Sequence, residues 1–558
     1  MKRNLAALAN TTFDVLIIGG GIYGTWTAWD AAQRGLSVAL VEKGDFGCAT
    51  SSNSLKIMHG GLRYLQHADF KRMRESIRER SILMRVAPHL VHPLPCLMPT
   101  YGHAMKGREA LWAALMMNDV LSFDRNAQLD DPQKHIPAGR IIYNDEVKRL
   151  IPEVETKNLT GGALWHDCQN YNSERLLFSI LHSATKAGAE TANYLEVIGF
   201  EKNKNRIVAA RVKDLLTNND FTIRAKIIVN TCGPWVDLLL KLVNGVEHQQ
   251  KFLPSKTMNL VVKRQLIPQY AVGVSSKFEF KDKDAIISKG SRALFIVPWR
   301  RYSLIGTTHL PFAGDAGNFK ITEEDIHIFM KEVNEAYPPA ALKRRDISFF
   351  YGGLLPMEPS NGYHGDVRLV KHYTLCDHQK KDGIEGLVSV VGVKYTTARD
   401  VAEKTIDLVF KKLGKQSARC RTHETPVHGG EIHRFHEFVA QETNRHAHGL
   451  QPEIIKHLVY NYGSAYHEVL KFTDTEAGPV EPITPASDIL KSEILYGIRE
   501  EMAQKLADVI RRRTELGSAG YPDEAAVKSC AAIMAKECGW NTAKMQQEIR
   551  EVKAIYST

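Results

Sequence analysis

The sequence predicts an α/β protein in three parts: a discontinuous dinucleotide-binding domain of Rossmann-like type, an α+β second domain on an antiparallel sheet, and an all-helical C-terminal domain. Three observations carry this. An apolar strand near the N-terminus runs directly into a GxGxxG turn and a helix. A second strand–glycine–helix passage appears only at Gly386 to Arg399, so the chain leaves the first domain and returns to it. Beyond Gly414 the apolar period is helical throughout. The expected boundaries are 1–100, 150–245 and 386–413 for the first domain, 101–149 and 246–385 for the second, and 414–558 for the third.

The 558 residues leave ample room for a buried core. A formal net charge of +10 favours acidic partners such as a phosphorylated substrate or an anionic membrane surface. The basic residues are dispersed and no reader motif occurs, which argues against nucleic acid. The eight cysteines lack CxxC or zinc-like spacing, so the sequence suggests a reducing compartment, no disulfide framework and no metal centre. The N-terminus does not read as a secretory signal. No apolar run approaches the roughly 20 residues of a membrane span, so membrane contact is expected to be peripheral.

Phe13 to Ile18 reads as a buried parallel strand. Gly19 makes the tight turn, Gly21 lets a pyrophosphate approach the backbone, and Gly24 lets helix pack on strand. The helix over Ile22 to Gln33 turns its N-terminus to the phosphates. The strand from Leu36 to Val41 ends in Glu42, placed for ribose hydroxyls with Lys43 beside it. Thr50, Ser51, Ser52 and Ser54 then supply small hydroxyls, followed by Lys56 and the HGGLRY run of His59, Gly60, Gly61, Leu62, Arg63 and Tyr64. This passage reads as a loop and helix start lying against phosphate and flavin.

Phe70 to Met84 has a helical pattern with charges on exposed faces, and Pro88, Pro93, Pro95 and Pro99 break the adjoining stretch. Glu109 to Phe123 reads as a core helix in preference to a surface-embedded amphipathic segment. Strands over Thr191–Phe200, Ile207–Val212 and Phe221–Ile228 lead to VNTCGPW, setting Cys232 and Gly233 at a strand's C-terminal edge, where doubly wound sheets bind ligands. Short strands between Val246 and Val388 suggest the antiparallel sheet. GLVSVVGVKYTTAR then brings Gly392, Lys394, Tyr395 and Thr396 back to the cofactor. Pro479 to Pro485 reads as a linker, and Ile489 to Arg513 as strongly amphipathic helix.

These motifs resemble the FAD-dependent glycerol-3-phosphate dehydrogenases, within the D-amino-acid-oxidase-like flavoproteins. GGGIYG, CATSS with SLKIMHGGLRYLQH, NTCGPWVD, GVKYTTAR and the C-terminal EILYGIREEMAQKLADVIRRRT carry the likeness over almost the whole chain. The resemblance implies FAD, hydride removal from a secondary alcohol and dihydroxyacetone phosphate as product. It also implies a quinone acceptor at a peripheral membrane surface, or oxygen in the oxidase branch. A cytoplasmic protein, held peripherally on the inner face of the cytoplasmic membrane and able to pair as a homodimer, is the expectation. Family Arg, Tyr and Lys positions are retained as Arg63, Tyr64 and Lys394. The family's phosphate-holding arginine corresponds to Leu355, a second arginine to Lys371 and a histidine to Asn259, with Arg368 near enough in sequence to compensate. His59 is the candidate base, Arg63 and Lys394 the candidate charge stabilisers, and Tyr64, Asn259, Arg368 and Lys371 further substrate contacts. Two alternatives stay open: a paralogue acting on another polyol phosphate, such as a tetritol phosphate, or on a 2-hydroxy acid, and a flavoprotein-like binding scaffold.

Overall fold

The computed structural model describes residues 1–103, 107–243, 253–278, 293–312, 314, 316–357, 370–392, 394–472 and 481–557, with backbone alone at 63, 66, 253 and 447. Arg368, the start of the Pro479–Pro485 linker and the side chain of Arg63 lie outside what is described.

In chain order the strands are β1 (Thr12–Ile18), β2 (Val38–Val41), β3 (Ile57–Met58), β4 (Val91–Tyr101), β5 (Arg140–Ile142) and β6 (Leu159–Asn170). Then come β7 (Glu190–Ala192), β8 (Leu195–Asn203), β9 (Arg206–Asp214), β10 (Asp220–Asn230), β11 (Leu253–Val262) and β12 (Ala271–Ser275). The last are β13 (Ala293–Trp299), β14 (Tyr302–Pro311), β15 (Ile347–Met357), β16 (Thr374–Asp377) and β17 (Leu387–Val391).

The first sheet has the order β16-β17-β10-β1-β2-β7, with β8 and β9 continuing from β10 as an antiparallel meander. Its centre is parallel: Val15 of β1 sits between Val38 of β2 and Ile227 of β10. Six consecutive β1 residues are buried, as a strand covered on both faces must be, here by helices on one side and largely by the β8–β9 meander on the other. Helices Ile22–Gln33, Ser173–Lys186 and Ala398–Leu413 cover one face, and the main core fills the layer between. Because β1, β10 and β17 run the same way, their C-terminal ends meet at one crevice.

The second sheet, β15-β11-β14-β13-β12-β4-β6-β3 with β5 on β6, is largely antiparallel. It corrects the expected boundaries, since β3, β4 and β6 belong to this sheet although 1–100 and 150–245 are expected in the first domain. The prolines of β4 mislead because they suggest a broken chain. Pro93, Pro95 and Pro99 alternate, so their missing amides all fall on one edge. That edge pairs with β12 only at Cys96 and Leu97, while the other carries the full ladder to β6.

The C-terminal helices form two apolar clusters. The amphipathic stretch 489–513 is interrupted: a helix ends at Arg499, Met502 takes a left-handed φ of 53°, and the chain resumes at Leu506 in a turn that widens to π geometry over Val509–Arg513. The interruption aims Glu501 at Arg175 (2.7 Å) and His182 (3.2 Å) of the first domain. The π turn sets two adjacent arginines on one carboxylate. Arg513 donates to both oxygens of Asp45, at 2.5 and 2.7 Å, and Arg512 Nε to Oδ2 at 2.5 Å.

A second correction concerns Arg108–Leu121. Only Leu115 is buried in this helix, and Trp112, Met116, Met117 and Val120 are exposed, followed by exposed Phe123. Apolar residues occur all round it, so periodicity could not say which face would find a partner.

Candidate active site

A cavity of about 1660 Å³ opens where the two sheets meet. One end is the glycine turn. Gly19 has φ +106°, and a Cβ there would lie 2.9 Å from the Thr231 carbonyl oxygen. A Cβ on Gly24 would fall 1.9 Å from the Gly19 oxygen, so Gly24 serves helix packing and does not line the cavity. Glu42 accepts the Gly20 amide at 2.7 Å and the Gly44 amide at 2.8 Å, which fixes its carboxylate at the cavity wall with lone pairs remaining. Ser51 Oγ accepts the Ile22 amide at 3.0 Å, capping the helix that begins there.

The second strand–glycine–helix passage closes the opposite wall. Tyr23 OH donates to the Lys394 carbonyl at 2.7 Å and accepts the Lys394 amide at 3.2 Å. A Cβ on Gly392 would overlap the Tyr23 ring. Tyr23 thus joins the two glycine turns, a role the sequence did not signal. Cys232, Gly233, Tyr395 and Thr396 also line the cavity. Burial pushes the Cys232 thiol well up, and its Sγ lies 3.3 Å from the Ile18 carbonyl, so it behaves as a neutral wall residue.

Other expected cofactor contacts are engaged elsewhere. Ser52 donates its hydroxyl to the Gly47 carbonyl, and Gly60 gives its amide to Asp167, so both back the wall without lining it. Lys43 is largely exposed at the rim and pairs with Glu196 at 2.7 Å. Thr50 donates to the Leu354 carbonyl at 3.1 Å, linking the hydroxyl cluster to β15. Lys56, expected at phosphate, is 2 % exposed, and its ammonium is held by Ser173 Oγ at 2.7 Å and Glu174 at 2.8 Å. Burial drives its pKa down against the pull of Glu174, so Lys56 is a strut.

The middle of the cavity carries the reactive groups. His59 Nδ1 lies 3.5 Å from Asp167 Oδ2. Asp167, on β6, also accepts the Gly60 amide (2.5 Å), Arg80 Nη1 (3.0 Å) and Trp165 Nε1 (3.3 Å). Burial alone would raise its carboxyl, yet His59, Arg80 and the Gly60 amide hold it at about 2. The sequence reading misses Asp167, although an acid inside the apolar strand LTGGALWHDCQN is a usable signal. Asn259 is buried, with Oδ1 accepting Thr307 Oγ1 at 2.7 Å. Tyr64, Lys371 and Lys394 line the cavity as expected, and so does Leu355.

This crevice fits a flavin dinucleotide: two glycine turns without room for a Cβ, a helix N-terminus, an acid fixed by two amides and enough volume for the cofactor beside a small substrate. The sequence profile of the FAD dependent oxidoreductase family matches residues 14–393. The chain belongs to this family. In this FAD-dependent oxidoreductase residues 420–545 match the C-terminal domain of alpha-glycerophosphate oxidase. A glycerol-3-phosphate dehydrogenase of Synechocystis sp. is 33% identical, over 98% of this chain and 97% of its own. An alpha-glycerophosphate oxidase of Enterococcus casseliflavus is 28% identical, over 92% and 89%. The solved structure of the Bacillus halodurans glycerol-3-phosphate dehydrogenase complexed with FAD superposes with a TM-score of 0.76 at 25% identity, covering 99% of this chain and 96% of that one. The FAD-dependent oxidoreductase fold and cofactor are thereby established.

Proposed function

We propose that this protein oxidises the secondary alcohol of sn-glycerol 3-phosphate to dihydroxyacetone phosphate, with a quinone as electron acceptor. The observation that carries the reaction type is the carboxylate-backed imidazole of His59 in a cavity that also holds Lys394 and Lys371. The relatives named as glycerol-3-phosphate dehydrogenases, aligned over nearly the whole chain, support the choice of polyol. Gly19 and Gly21 would take the FAD pyrophosphate, Glu42 the ribose hydroxyls, and Gly61, Gly392 and Thr396 the flavin end. Bound there, FAD supplies the hydride acceptor.

His59 keeps Nδ1 on Asp167, which leaves Nε2 to take the hydroxyl proton. Lys394 supplies positive charge where the alkoxide develops, and Tyr64 and Asn259 position the polyol. Lys56 and Glu174 hold the cavity floor from behind.

The Arg108–Leu121 helix supports the acceptor. Ala110, Leu111 and Ala114 line the cavity, while Trp112, Met116 and Val120 form an exposed apolar face on the same helix. An amphiphilic acceptor in a lipid surface would meet that face and reach the cavity along it. Among the described residues no helix is long and apolar enough to cross a membrane, so the proposed attachment is peripheral.

Leu355 favours a second reading, in which another polyol phosphate or a 2-hydroxy acid is oxidised. Anaerobic bleaching of the visible flavin band separates the two. Glycerol 3-phosphate is expected to bleach it at low millimolar concentration or below, and tetritol phosphates and lactate far more weakly. Bleaching by one of those and none by glycerol 3-phosphate would overturn the choice of substrate. Comparing quinone with oxygen as oxidant of the bleached protein tests the acceptor.

A further inference from the structure

We infer that Arg72 is the guanidinium that receives the anionic end of the substrate, together with Lys394 on the same Tyr64 ring and Lys371 in the recess beside it. The inference rests on the proposal above that the substrate carries a phosphate. Arg72 lies in the first turn of the Phe70–Val86 helix, where its amide is held by the capping Asp69 at 3.0 Å. Its Cζ sits 4.2 Å from the Tyr64 ring centroid, and Lys394 Nζ sits 4.1 Å from the same centroid. Tyr64 itself is buried. One aromatic ring in the cavity wall therefore gathers a guanidinium and an ammonium, and both groups line the cavity. A small recess beside it is walled by Arg72, Lys371 and Lys394 with Glu75, His372 and Tyr373.

The acids facing this cluster have other partners. Asp69 Oδ2 meets His372 Nε2 at 3.2 Å. Glu75 meets Lys404 at 3.4 Å, and Lys404 is in turn held by Asp400 at 2.5 Å. Among the described residues the recess brings Arg72, Lys371 and Lys394 together beside Glu75, and the mutual repulsion of the three cations falls when an anion enters between them. Chemistry then separates the three. Lysine offers a point charge, whereas a guanidinium presents a planar fork that matches two oxygens of a phosphate. The contact with the Tyr64 ring holds the guanidinium beside the recess before the anion arrives. Leu355, which lines the same cavity, offers an anion neither charge nor donor. Arg72 thus supplies from a helix the contact that β15 does not make.

The test uses the full FAD-loaded chain and the variants Arg72→Ala and Arg72→Lys, with flavin content and melting temperature as controls for folding. Arg72→Ala is expected to raise the KM for glycerol 3-phosphate by ~10- to 100-fold, the loss of a charge-assisted pair, with kcat changed less. Arg72→Lys should recover part of it, and the preference for glycerol 3-phosphate over glycerol should fall by a similar factor. An unchanged KM in Arg72→Ala overturns the inference while leaving the proposed reaction intact. Should glycerol 3-phosphate fail to bleach the flavin at all, the proposed substrate fails, and inorganic phosphate decides the inference separately. A phosphate-induced shift of the flavin band in the wild type, weakened in Arg72→Ala, supports it. No shift in the wild type, or the same midpoint in both, overturns it.

Discussion

Asp167→Asn separates the two tasks assigned to this carboxylate. In the wild type Oδ1 takes the Gly60 amide and Arg80, while Oδ2 faces His59 Nδ1 and Trp165 Nε1. Asparagine can keep its oxygen on Gly60 and Arg80, so the wall should survive. Its NH₂ then faces His59 Nδ1 and donates to it, which moves the imidazole proton to Nε2 and leaves no acceptor toward the substrate. The charge is lost as well. At 3.5 Å the Coulomb attraction to an imidazolium is about 5 kcal/mol for an effective dielectric of about 20. The His59 side chain is 33 % exposed, so solvent screening reduces this to about 2–3 kcal/mol. That alone slows reduction roughly 30- to 150-fold, and the wrong tautomer takes it further. Stopped-flow reduction with saturating substrate reads the loss. Asp167→Ala is the contrasting variant: the tautomer is left free, but Arg80 loses its buried partner, and the cost should appear as about 3–5 kcal/mol of stability. A wild-type rate of reduction by Asp167→Asn would show that His59 does not work through Asp167.

Arg513→Ala leaves Asp45 buried with Arg512 as its remaining guanidinium partner and should cost about 3–5 kcal/mol, read as a lower denaturation midpoint together with lost flavin, since Asp45 lies just beyond the Glu42 turn. Burial alone would raise the Asp45 carboxyl, but Arg513 and Arg512 hold it at about 2, so the wild-type tie should persist on acidification until the pH falls below about 4 and toward 2. His457 gives the opposite sign: burial would lower its pKa, but Glu493 and Glu515 carry it from 6.5 to about 9. Its contribution, about 3 kcal/mol, is complete below pH 6.5 and lost as pH rises through 9, so the stability difference between wild type and His457→Gln should shrink over that interval. Trp112→Ser with Val120→Ser should weaken binding to anionic vesicles by ~100-fold, from about 3 kcal/mol of lost apolar burial, and should slow quinone turnover without changing anaerobic flavin reduction. Vesicle binding equal to wild type would remove this face as the attachment surface.

How much of the site is legible in the sequence depends on how far apart the cooperating residues lie. Gly19, Gly21, Gly24 and Glu42 meet requirements that are local in the chain, namely a turn, a close approach and a strand end, so their spacing is sufficient. The return at Gly386 is legible for the same reason. The domain boundary near β4 is not, because proline reads as a chain breaker unless one knows which strand edge is unpaired. Lys56 fails in another way: a lysine among serines suggests phosphate, and only tertiary closure shows Glu174 beside it.

Arg72 shows this most plainly. In RMRESIRER it is one charge among many on a helix, and the natural reading is solvent exposure. Its significance comes from Lys394 and Lys371, about 300 residues downstream, which reach the same small space only because the chain leaves the dinucleotide domain and returns. The HGGLRY passage that looks self-sufficient in sequence is thus completed from outside. Its Tyr64 ring receives one cation from the next helix and one from the returning strand turn, and its His59 receives a carboxylate from β6. A site assembled this way can change which residue grips the substrate while the motif that marks the family stays the same. Loss of an arginine at Leu355 can therefore coexist with retained phosphate specificity, and the Arg72 variants measure whether it does.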